Sequence, residues 1–263
     1  SMKDLDFSNQ GATIEKLQEL GVLGRLEAMF RILRVAADRN EFIPYTRNTT
    51  KGSFHYDLIR SVMSRVTLTG EYQLDDGVEP HTEIDTLMEG LPPEARNFLP
   101  LEPTHGIYTW NTFKNVPYWE VGDFCSLIVQ SANRFEGGVQ GIRWERSTKQ
   151  TIVAETQHHV GDDALFSPEE FDLDGFEASV PMHLPALVVA YNISPEGELL
   201  EGVIGVPTPA RNTSDTPWLW TYDILARLDR KVQVAPTATQ TSPVPQEQIP
   251  DIELQLKREA THE

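Results

Sequence analysis

Leu187-Val188-Val189-Ala190-Tyr191 is an unbroken apolar run of strand length. With no polar residue alternating through it, such a run reads as a central strand covered on both faces. On its C-terminal side Ser194-Pro195-Glu196-Gly197-Glu198 has the composition of a tight turn. That turn leads into a second strand from Leu199-Leu200 to Val206, and Trp218 to Leu228 is a final strand or helix. Four more short stretches rich in β-branched and aromatic residues lie upstream. They are Ile107-Tyr108-Thr109-Trp110, Ser126-Leu127-Ile128-Val129, Ile142-Arg143-Trp144-Glu145 and Thr151-Ile152-Val153-Ala154. The last two read as a hairpin joined by Arg146-Ser147-Thr148-Lys149-Gln150, with Ile142 and Trp144 facing in and Arg143 and Glu145 facing water. Ser167-Pro168-Glu169-Glu170 carries a helix-start signature. Sequential strands joined by short turns predict a mostly antiparallel sheet of six or seven strands.

The first seventy residues follow a helical period. Ile14, Leu17 and Leu20 define one stripe, with Thr13 as the expected cap. Gly21-Val22-Leu23-Gly24 breaks it, and Leu26, Phe30, Leu33 and Ala37 define a second helix ending near Asn40. A third helix, capped by Ser53, buries Phe54, Leu58, Ile59, Val62 and Val66. Between Gly70 and Pro103 the periodicity fades and nine acids face the single Arg96, with one helical turn expected at Pro92-Pro93-Glu94-Ala95-Arg96. From Val234 to Pro250 the composition is Pro/Thr/Gln-rich and cannot build a core. The expected fold class is therefore α+β: N-terminal helices packed with the sheet, then an extended C-terminal tail. The expected divisions are 1–70 helical, 71–103 acidic loop, 104–231 β-rich and joined with 1–70 in one domain, and 232–263 linker and docking tail.

The chain has 263 residues, with 22 Lys+Arg against 40 Asp+Glu, a net charge of −18. Such a balance argues against direct binding to nucleic acid or an anionic membrane. No run of some 18 apolar residues suggests a membrane span. A lone Cys125 excludes a disulfide scaffold. Ser1-Met2 reads as a cleavage remnant before an initiator methionine, and no secretion-type apolar stretch follows, which with one cysteine predicts a reducing, cytoplasmic setting. Charge is unevenly distributed: residues 1–70 hold ten basic and eight acidic side chains, and residues 71–263 hold twelve and thirty-two. No Lys or Arg falls between Lys149 and Arg211.

Three groups of residues carry candidate chemistry. Glu79, His81, Glu83 and Asp85 alternate and, if extended, project to one side, as ligands of a divalent metal ion would. His158-His159 with Asp162-Asp163 is a second such set. Glu155 and Gln157 at a strand end, with Glu145 on the strand before, loosely follow a nuclease hairpin, although no Lys occupies position 157. Trp218 and Trp220, two apart on one strand, are expected to share a face and line a groove. Ile249, Ile252 and Leu256 have helical spacing suited to a docking peptide. No phosphate-binding glycine loop, nucleophile elbow or CxxC pair occurs. These features predict an acidic binding or regulatory protein engaging a basic protein partner, with nucleic-acid mimicry as one form, or its own subunit through the tail. The alternative is a metal-dependent hydrolase, of nuclease or phosphodiesterase type, built on the carboxylates and histidines.

Overall fold

The computed structural model describes residues 6–37, 51–74, 84–113, 115–147, 149–156, 184–208 and 216–234. Its centre is a six-stranded sheet in sequential order: β1 (Tyr108–Phe113), β2 (Val116–Val121), β3 (Cys125–Ser131), β4 (Ala186–Ile193), β5 (Leu199–Pro207) and β6 (Trp218–Asp223). Every neighbouring pair is antiparallel except β3 and β4, which run parallel with Ser131 opposite Tyr191. Two three-stranded meanders are thus fused along one parallel seam. A parallel pair cannot be joined by a tight turn, so the chain must cross over the sheet between residues 131 and 186.

The apolar run at 187–191 forms β4, covered on both faces as its composition requires. Leu187, Val189 and Tyr191 join one core with Leu127, Val129, Ile204 and Trp220. Ala186, Val188 and Ala190 join a second core with Ile128, Val139, Trp144 and Val153. Against the first face pack helices α1 (Gln10–Glu19), α2 (Val22–Ala36), α3 (Lys51–Thr67) and α7 (Ile224–Val234), with the short α4 (Ile84–Met88) and α5 (Pro93–Arg96) contributing Leu87 and Ala95 to the same core. α2 is buried nearly all round, from Leu23 and Leu26 to Phe30, Ile32 and Leu33, which places it between the sheet and the other helices. Gly21 sits at φ 72°, left-handed, and turns α1 into α2. The α1 cap is Asn9, whose side chain accepts from the Ala12 N–H, while Thr13 is buried inside the helix. Ser53 likewise lies within α3 rather than before it. The α2 cap is Ala37; Asn40 and the helix start at 167 lie outside the described residues.

The second face shows the main departure from expectation. Ile142-Arg143-Trp144-Glu145 is not a strand: Trp144–Arg146 forms a 3-10 turn, as does Gly138–Gly141. Residues 151–154 lie in α6 (Gln150–Thr156), not in a hairpin partner. The reason is the crossover. This segment must cover the sheet rather than extend it, and Ile142, Trp144, Ile152 and Val153 are buried against it. Trp144 and Trp218 meet edge-on at 5.2 Å, and each indole N–H donates to a backbone carbonyl, Trp144 to Pro217 and Trp218 to Val139. In compensation β2, which sequence patterning missed, supplies the sixth strand.

Candidate functional site

The residues singled out from sequence do not converge among the described residues. Glu79, His81, Glu83, His158, His159, Asp162, Asp163, Gln157, Ile249, Ile252 and Leu256 lie outside them, and Asp85 and Glu155 are placed only by backbone, on α4 and α6. Glu145 is exposed in a 3-10 turn. The nuclease-like hairpin is therefore not formed, because both segments that would build it are helical. Among the described residues, no group of three or more His, Cys, Asp or Glu is placed to hold a metal ion, and no helix is long and apolar enough to cross a membrane. Trp218 and Trp220 do not share a face. The β5–β6 register shifts between Val206 and Pro207, so Trp218 enters the second core and Trp220 the first, where its indole donates to the Phe7 carbonyl. Both are buried, so they line no groove.

The structure assembles instead a cationic cluster near the carboxyl ends of the parallel strands β3 and β4. A chain of hydrogen bonds fixes how the chain leaves β3. Ala132 N–H donates to the Tyr191 carbonyl at 2.7 Å, and Ile193 N–H to Asn133 Oδ1 at 2.8 Å. Further along, Glu201 on β5 accepts from Asn192 Nδ2 and the Val139 N–H, and Gly138, at φ 61°, lies so close that a β-carbon would collide with the Glu201 carboxylate. The segment then returns to the strand end. Ser147 Oγ donates to Gln130 Oε1 at 2.9 Å and accepts from the Lys149 N–H at 3.1 Å, and Arg134 Nη2 donates to the Arg146 carbonyl at 2.7 Å.

These bonds bring Lys149 back over α3, where its ammonium lies 5.2 Å from the centre of the Tyr56 ring. Arg60 lies 5.7 Å from the same ring and 3.9 Å from Asp57. Lys149 is only 6% exposed. Burial, reinforced by the nearby guanidinium groups of Arg134 and Arg60, pushes its amine down to about 8. Burial raises the Tyr56 phenol, and that of Tyr191 further still. The Tyr191 hydroxyl, on β4 and close to Tyr56 and Asp57, ends beside Ser131 without the geometry of a hydrogen bond, and Arg60 Nε is also buried without an acceptor. Arg134 is exposed and the Arg60 side chain is 38% exposed, so the cluster opens to water on one side.

A separate surface cleft of about 530 Å³ lies between α2 and the β4–β5 turn, lined by Arg34, Glu196, Gly197, Glu198 and Leu199. Its Arg34 is engaged by Asp229 at 2.8 Å. Charge is divided between the described and remaining residues. Those described hold 15 Lys/Arg and 20 Asp/Glu (−5), and the remainder hold 7 and 20 (−13). Within the body, basic and acidic side chains interleave, as in Arg34–Asp229 and the short pair of Arg227 with Glu27. Comparison with family models, curated proteins and solved structures finds no match for this chain.

Proposed function

We propose that this is a binding or regulatory protein whose body takes up a small anion at the carboxyl ends of β3 and β4. The observation that carries this is that Lys149 and Arg60 both lie against the Tyr56 ring, with Arg134 near enough to Lys149 to act on its charge, in a chain of net charge −18. Three cations placed together repel one another, and one of them is buried. Their combined positive charge favours an anion placed beside them. The Tyr191 hydroxyl and Arg60 Nε supply donors awaiting acceptors.

A second reading concerns the excess acids. Because eleven acids and no Lys or Arg fall between Lys149 and Arg211, that stretch of sequence suits a basic protein partner. The metal-hydrolase alternative gains no support among the described residues.

Thermal unfolding with added sodium phosphate, sulfate or acetate tests the first reading against sodium chloride of equal ionic strength. An anion at 100 times its dissociation constant stabilises the folded state by about 2.7 kcal/mol. The wild-type midpoint should rise with at least one oxyanion and not with chloride, and the double variant Lys149→Met/Arg134→Ala should lose that rise. An equal response to chloride, or a response retained by the double variant, contradicts it. Titration with oligolysine tests the second reading: binding that weakens steeply with salt supports it, and no binding at low salt defeats it.

A further inference from the structure

We infer that the outer edge of β1 is a self-association surface. Two copies of this chain pair β1 against β1, antiparallel about a two-fold axis at Trp110, and continue the sheet from one molecule into the other.

The phase of the ladder decides which groups this edge offers. Gly122 N–H donates to the Ile107 carbonyl at 2.7 Å, so residues 107 and 122 form a hydrogen-bonded pair of the β1–β2 hairpin. Bonded pairs alternate, and the register runs unbroken to Phe113 opposite Val116. Residues 109, 111 and 113 therefore turn their backbone groups toward β2. Tyr108, Trp110 and Thr112 turn theirs outward, to the side where no described strand follows in the sheet. There the Thr112 N–H is met by the neighbouring Asn111 Oδ1 at 2.8 Å, an exposed contact that a pairing strand can replace.

This edge lacks the devices that keep strands apart. No Asp, Glu, Lys or Arg occurs from Pro103 to Phe113, and β1 has neither a proline nor a register shift against β2. In a chain of net charge −18 that neutrality selects the occupant: a charged segment finds no counter-charge along β1, and an identical neutral strand needs none. The pattern is also self-complementary. With Trp110 on the axis, it exchanges both backbone bonds with its equivalent, while Tyr108 and Thr112 meet Thr112 and Tyr108 of the second copy. Trp110, 40% exposed, then packs beside its equivalent on one face of the joined sheet. The opposite edge is different. β6 ends in Asp223, and Gln10 Nε2 from α1 donates to the Thr221 carbonyl. Pairing of β1 with itself closes at two copies, with no matching edge left to propagate a fibre. A strand of 6 residues spans only about 20 Å. One such seam falls at the small end of interface sizes, below about 1,200 Å², so the dimer is weak and forms with rising concentration.

The test is sedimentation of the full chain from micromolar to near-millimolar concentration, with tryptophan emission followed over the same range. A monomer–dimer equilibrium is expected, and added sodium chloride should raise the dimer fraction by screening the repulsion between two acidic chains. Emission should move to shorter wavelength as the dimer forms, because Trp110 is exposed whereas Trp119, Trp144, Trp218 and Trp220 are buried. Trp110→Lys and Thr112→Pro should each weaken the dimer about tenfold or more. The second removes an N–H that the hairpin does not use, so the fold survives it. Leu219→Lys, at an exposed position on β6, should change neither readout. A chain that stays monomeric throughout overturns the pairing, as do species that grow beyond the dimer. A dimer that both β1 variants leave intact, or that Leu219→Lys breaks, overturns it as well.

Discussion

At the residue scale, the position that best links fold to site is Gly138. Its left-handed backbone and contact with Glu201 allow one carboxylate to bind both the Val139 N–H and Asn192, which anchors the crossover ahead of its return to Lys149. Gly138→Ala adds a β-carbon where the backbone disfavours one and displaces the carboxylate from both donors. The expected loss is about 2–4 kcal/mol in urea denaturation. A loss below about 0.5 kcal/mol would show that this knot does not hold the segment. Nothing local to these glycines in the sequence says that Glu201, over sixty residues away, would lie against them. Lys149 was hidden in the same way. Its partners come from α3, the crossover and β4, and no spacing rule connects them. One signal was present: Arg134, Arg143, Arg146 and Lys149 form a basic patch inside the acidic half of the chain.

At the scale of elements, legibility followed how much of an element's environment its own sequence records. The 187–191 run announces burial on both faces, and the apolar spacing of α1, α2 and α3 announces helices packed through it; all four formed. Residues 142–154 did not follow their β-branched, aromatic pattern, because short apolar runs cannot separate a strand from a buried turn or helix without the topology. Pro117 concealed β2 because proline gives no amide to a ladder, yet the strand forms with Pro117 opposite Thr112. The parallel seam was not legible at all, since pairing between β3 and β4 spans the whole crossover. The described structure orders the sheet's local stability. β3 and β4 are central and buried, whereas four of the six β1 residues are exposed on an edge. Hydrogen exchange should find the β3–β4 ladder amides among the slowest in the molecule, with the β1 edge at least about tenfold faster. Equal protection across all six strands would contradict this ordering.

At the scale of the whole molecule, net charge misleads about where binding resides. The described residues carry −5 of the net −18, with ion pairs such as Arg34–Asp229 and Arg227–Glu27 interleaved among them. Within that body the one buried lysine among the described residues stands beside two arginines, at the strand ends where the parallel seam opens. The account stands or falls with the state of that amine. The most direct measurement is the titration of the Lys149 side chain by carbon-13 NMR, in the free protein and with added phosphate. A midpoint near 8 that moves upward with phosphate is the expected result. A midpoint at an ordinary lysine value of about 10.4, unmoved by phosphate, would contradict the anion-binding reading.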